Sequence, residues 1–206
     1  MKLTRSKLAV GLAGGVVLLT CAAFIQDAGS GGDAKAAAAM QEGMKKWQAS
    51  GKPGPQHKAL ERLLGKWDTE VVVPGMGGPP MKSSGTAEFT WLFEGRWMQQ
   101  NWSESLMGMP VTGHTIMGYD NFKQKYTTAS VNTLETTLLT SEGNFDQSGN
   151  TLITYGLMDE PMTGENDKMV QYIWRLSPDR IVFEIHDLAI GETNNKVIEI
   201  TYTRHK

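Results

Sequence analysis

The sequence predicts an all-β protein: an antiparallel up-and-down barrel of about ten strands, with short helices at its N-terminal side. Three observations predict it. From Lys66 onward hydrophobicity alternates with period two, turn-forming clusters recur about every ten residues, and the connections are of hairpin length, too short for crossover helices. Closure into a barrel follows because an open sheet of this length would leave exposed edges.

The expected strands cover residues 66–73, 82–93, 96–105, 112–119, 125–132, 137–146, 151–158, 169–176, 181–189 and 196–204. Glu94-Gly95, Asp120-Asn121 and Ser177-Pro178-Asp179 are among the turns between them. Two hairpins can be registered from the residues alone. A two-residue turn at Glu94-Gly95 sets Phe93 opposite Arg96, Trp91 opposite Met98, Phe89 opposite Gln100 and Ala87 opposite Trp102. A four-residue turn at 177–180 sets Leu176 opposite Ile181, Trp174 opposite Phe183 and Tyr172 opposite Ile185. Each hairpin then has one mostly apolar face, while Glu88, Thr90, Gln99 and Asn101, or Gln171, Arg175, Glu184 and His186, fall on the other.

Upstream, Lys2, Arg5 and Lys7 precede an apolar run from Leu8 to Thr20, the charged and apolar regions of an export signal, so residues 1–23 are expected to be a signal peptide. Cleavage after Ala23 and a lipoprotein route that leaves an acylated Cys21 are both open, as is an uncleaved anchor. Either way the protein is expected to be exported, to the periplasm, the cell envelope or the medium. Residues 24–55 read as a tether and a short helix over 34–48, and 56–206 as the barrel domain with a capping helix over 56–64. That helix places Ala59, Leu60, Leu63 and Leu64 at helical spacing.

Cys21 is the chain's one cysteine, so the folded part has no disulfide or thiolate chemistry. With residues 1–23 removed, 17 basic and 22 acidic residues remain, a net charge of −5. A mildly acidic domain without basic runs argues against nucleic acid, and leaves contact with a membrane to the signal or a lipid anchor.

Six stretches resemble the bacterial family called domain of unknown function 1579: Pro53-Gly-Pro-Gln-His-Lys58, Leu64-Gly-Lys-Trp67, Phe93-Glu-Gly-Arg96, Gly118-Tyr-Asp-Asn121, Ser141-Glu-Gly-Asn-Phe-Asp146 and Lys196-Val-Ile-Glu-Ile-Thr-Tyr-Thr-Arg204. One departure is Ser130-Val-Asn-Thr133, where such proteins tend to read Trp-Ile-Asp-Ser. The resemblance implies a lipocalin-like barrel and carries no reaction or ligand. Gly65-Lys-Trp67 also resembles the Gly-x-Trp that opens the first strand of lipocalins, and is read as a buried Trp closing one end.

Chemistry is sparse. No nucleophile elbow, phosphate loop, metalloprotease helix or dinucleotide fingerprint is present, and no cofactor or metal is expected. Of the four histidines, His205 is expected in solvent, His186 beside Glu184 on the outer face, His57 in the packing of the short helix, and His114 on either face. Glu88, Glu104, Asp120 and Glu199 are expected on outer faces or in turns. Methionines gather in three loops, Met76 and Met81, Met107 and Met109, Met158 and Met162; packing between loops, a soft ligand mouth and cuprous copper are the readings, in that order.

What remains is the inner face. Arg96, Gln100, Trp102, Tyr155, Tyr172 and Trp174 are expected to form a binding site for a small apolar or amphipathic ligand. The alternatives are an envelope interaction protein with a filled barrel and an enzyme working inside the barrel.

Overall fold

The computed structural model describes residues 32–206, apart from 76–77, 107, 162 and 189–193. The expected signal peptide, Cys21, most of the tether, and Met76, Met107 and Met162 therefore lie outside the described residues. The chain divides between Lys52 and Pro53 into two units. In the first, α1 (Gly32–Ser50) is rich in Ala, with Lys, Met and Gln beside it, and its described side chains are exposed. No helix among the described residues is long and apolar enough to cross a membrane.

The second unit opens with α2 (Pro55–Ala59) and a 3-10 turn (Leu60–Leu63). Pro55 starts α2 where its missing N–H is no loss. The expected single helix over 56–64 thus tightens after Ala59, which turns Leu60 and Leu63 together into the core.

Ten strands follow: β1 (Gly65–Val73), β2 (Met81–Phe93), β3 (Trp97–Leu106), β4 (Met109–Asp120), β5 (Lys125–Asn132), β6 (Leu139–Phe145), β7 (Thr151–Glu160), β8 (Glu165–Leu176), β9 (Arg180–Leu188) and β10 (Asn194–Arg204). Every strand pairs antiparallel with its neighbours in sequence, and β1 pairs with β10 to close the barrel. The closing ladder sets Trp67 opposite Arg204, Thr69 opposite Tyr202 and Val71 opposite Ile200.

Both hairpin registers hold at their centres: Trp91 faces Met98, Phe89 faces Gln100, Ala87 faces Trp102, and Leu176, Trp174 and Tyr172 face Ile181, Phe183 and Ile185. The first turn differs from expectation. The register shifts between Trp91 and Phe93, so Phe93 pairs with Trp97 and Arg96 falls into the turn. Gly95 makes this available with a φ of +67°, a left-handed backbone that other residues resist.

The barrel is packed unevenly. Leu60, Leu63, Trp67, Phe89, Met98 and Leu152 belong to one buried cluster that fills the end beneath the 3-10 turn. At this end Arg204 closes the structure: its guanidinium lies 4.0 Å over the Trp67 ring and donates to the carbonyls of Leu64, Arg62 and Pro178. Trp67 in turn donates its indole N–H to the Leu63 carbonyl at 2.8 Å. The buried Trp expected from Gly65-Lys-Trp67 closes this end.

Candidate functional site

The other half of the barrel holds a cavity of about 240 Å³, so the barrel is not filled throughout. Its two sides differ in chemistry. β8, β9 and β10 contribute Tyr172, Trp174, Phe183, Ile185, Ile198 and Ile200, an aromatic and aliphatic wall in which Trp174 lies 4.1 Å from Phe183, centroid to centroid. Opposite, β4, β5 and β6 contribute Thr115, Thr128, Ser130 and Ser141. These hydroxyls satisfy one another: Thr115 with Ser130 at 2.9 Å, Thr128 with Ser141 at 2.7 Å, and Ser141 with the fully buried Thr154 at 2.8 Å. Small side chains on this wall leave the space that the large ones on the other wall do not reach. Ser130, the first residue of the stretch that departs from the family resemblance, is one of them.

Four of the six expected site residues line this cavity: Gln100, Trp102, Tyr172 and Trp174. Gln100 Nε2 donates to the Tyr202 hydroxyl at 3.2 Å, which fixes both side chains. Two do not belong. Tyr155 is 46% exposed and its hydroxyl accepts from Gln171 on the outer face, because its neighbours Leu152 and Thr154 take the inward positions of β7. Arg96 is exposed in the turn at the closed end, a consequence of the shifted hairpin register.

One carboxylate was misplaced by sequence reasoning. Glu104 shares the inward parity of Gln100 and Trp102 on β3 and lines the cavity. Burial raises its carboxyl from 4.5 to about 7. The Thr69 hydroxyl opposes that shift only in part, for it is buried without a hydrogen bond of proper geometry. Gly85 makes room here, since a Cβ on it would press on the Glu104 backbone and stem. A second carboxylate, Glu135 in the connection between β5 and β6, stands at the cavity with its Oε1 accepting from Asn132 Nδ2 at 3.0 Å.

No histidine lines the cavity. His57 is buried at the closed end, its Nδ1 accepting from the Gly54 N–H at 3.0 Å and its ring edge-on to Tyr119. Burial, helped by the Arg96 charge and opposed by the Tyr119 main chain, holds the imidazole below its usual pKa. His186 lies on the outer face 3.1 Å from Glu184, as expected, and His205 pairs with Asp68 at 2.8 Å. His114 resolves to the outer face, where its Nδ1 meets Asn101 Oδ1 at 2.8 Å beside a shallow depression open to solvent. Of the loop methionines, Met158 lines the cavity and Met81 and Met109 are exposed. No group of three or more His, Cys, Asp or Glu that could hold a metal occurs among the described residues.

A family model described as a protein of unknown function, DUF1579, matches residues 52–204. The chain belongs to the DUF1579 family. Among solved structures, this DUF1579 protein is similar to Rv2717c from M. tuberculosis, at a TM-score of 0.55 and 12% identity over 75% of this chain and 100% of that one. It is also similar to the S-type phycobiliprotein lyase CPES from Guillardia theta, at a TM-score of 0.49 and 11% identity over 72% and 92% of the two chains. No curated protein matches the chain in sequence. The likeness to Rv2717c is one of fold, a barrel.

Proposed function

We propose that this DUF1579 protein is a binding module that holds a small, partly apolar molecule in the open half of its barrel. The observation that carries the reading is the two-sided cavity: an aromatic wall able to bury an apolar body faces a wall of hydroxyls and Gln100 able to orient a polar group. Apolar burial supplies about 25 cal/mol per Å² and the polar groups supply direction. At about 240 Å³ the cavity falls just below the ~300–1,000 Å³ usual for ligand sites, so the molecule is compact.

The test is native mass spectrometry of protein purified from its own cells, followed by titration of any retained compound into Trp102→Ala and Trp174→Ala. A bound small molecule, with affinity weakened in both variants, supports the reading. Protein that carries nothing and answers to no small apolar probe removes it.

Export is the second part of the proposal, supported by the basic start and apolar run of residues 1–23. Mass spectrometry of the mature N-terminus decides it: a start at Phe24 means cleavage, a diacylated Cys21 means a lipoprotein, and an intact Met1 in the cytosol removes export altogether.

A further inference from the structure

The charged groups that line the cavity are all of one sign. Glu104 and Glu135 are there, and among the described residues no Lys, Arg or His accompanies them. Glu104 reaches the interior beside Gly85, facing Thr69 from β1 and Tyr202 from β10, with Val111 as its partner on β4. None of these neighbours is a cation. No ion pair to Glu104 exists among the described residues, whereas Glu184, which is buried, is surrounded on the outer face by Arg175, His186 and Lys196. The same chain therefore supplies cations to one buried carboxylate and leaves the cavity carboxylate without any.

A second, independent feature points to a missing partner. The Tyr172 hydroxyl is buried, lines the cavity and makes no hydrogen bond. Leaving such a group unpaired is unfavourable, and it lies within the field of Glu135. The aromatic rings of Trp102, Trp174 and Phe183 line the same cavity, and such rings attract cations through their quadrupoles. A carboxylate ligand would meet repulsion here, and a neutral one would leave Glu104 desolvated and uncompensated.

Resting on the reading of the cavity as a binding site, we infer that its ligand is a compact amine: a protonated ammonium held against Glu104, an apolar body on the Trp102–Trp174 wall, and a polar contact to the Tyr172 hydroxyl. Glu135 adds attraction at the same cavity. The elevated titration of Glu104 agrees with this, because an incoming ammonium restores the charge that burial suppresses.

The experiment titrates the full chain at about pH 8 with three probes of similar size, 2-phenylethylamine, 2-phenylethanol and 3-phenylpropionate, by calorimetry and tryptophan fluorescence. The amine should bind at least about tenfold tighter than the alcohol, with the carboxylate weakest. Glu104→Gln, nearly the same shape, should erase the amine's advantage over the alcohol, its fold verified by circular dichroism. Amine affinity in the wild type should also rise between about pH 5.5 and 8, with Glu104→Gln flat. Equal affinity for all three probes, or an amine preference that survives both Glu104→Gln and Glu135→Gln, overturns the amine inference while the cavity remains a binding site. Binding of no probe overturns both readings.

Discussion

Across the ladder between β3 and β4, Trp102 and Gly113 face each other, and the Trp102 indole occupies the space that a Cβ on residue 113 would need. The glycine is there for close approach: its φ is not among the left-handed ones. Gly113→Ala should therefore push the indole off its seat. Overpacking of this kind costs about 1–3 kcal/mol, and urea denaturation will show it. The same variant should change the tryptophan emission and the affinity of any cavity ligand, since Trp102 lines the cavity. An alanine variant with wild-type stability and emission would mean that Trp102 is not held against this strand.

Glu104 gives the stability a pH signature. Its folded pKa, about 7, lies above the unfolded 4.5, so the contribution is fully present below pH 4.5 and is lost as pH rises through about 7. At 1.4 kcal/mol per unit the loss amounts to about 3 kcal/mol at most. Glu104→Gln cannot ionise. Denaturation midpoints of the two proteins should match near pH 4 and diverge above it, the variant becoming the more stable by pH 8. His57 slopes the other way, because its depressed pKa removes stability as pH falls below its unfolded 6.5. Comparison with Glu104→Gln cancels that second slope.

Much of this was legible in the residues. Strand alternation was enough for the centres of both hairpin registers, because each hairpin carries one apolar and one polar face. β7 lacked that contrast: Ile153, Tyr155 and Leu157 are apolar or aromatic yet point outward, so alternation there had no sign and Tyr155 was assigned to the wrong face. Arg96 was lost to one turn residue. Glu104 was the more instructive failure, since the parity that places Gln100 and Trp102 inside places Glu104 there too, and only the general exposure of carboxylates argued otherwise. The cavity itself had no local signal. It exists because Ser130, Thr115 and Thr128 on one wall are small where Trp174 and Phe183 on another are large, a relation between strands far apart in sequence.

The hydroxyl wall makes a prediction about satisfaction rather than volume. Ser141 bridges Thr128 and the fully buried Thr154. Ser141→Ala strands the Thr154 hydroxyl and should cost about 1–3 kcal/mol. Adding Thr154→Val removes the stranded group while keeping its shape, so the double variant should recover part of the loss. A double variant weaker than the sum of the two singles, by chemical denaturation, would show that the network does not behave as a unit.

The closed end depends on the planar fork of Arg204. Its three nitrogens donate to carbonyls at the end of the 3-10 turn and in the turn between β8 and β9, while its face rests on Trp67. The Arg62 and Leu64 carbonyls lie where a helix end leaves acceptors unpaired, so a single side chain satisfies the cap and ties it to the last strand. Removing it in Arg204→Ala should cost about 3 kcal/mol, the scale of charged hydrogen bonds lost from partly buried acceptors. Arg204→Lys keeps the charge but offers one point instead of a fork, and should recover less than half of that. Local opening is the sharper measure. The Trp67 indole N–H, bonded to Leu63 beneath the fork, should exchange with solvent faster in both variants, and faster in Ala than in Lys. Since the cavity lies in the opposite half of the barrel, binding of a cavity ligand should be retained in Arg204→Lys at temperatures where the variant is folded. Loss of binding alongside an unchanged Trp67 exchange rate would place Arg204 in the site instead of in the cap.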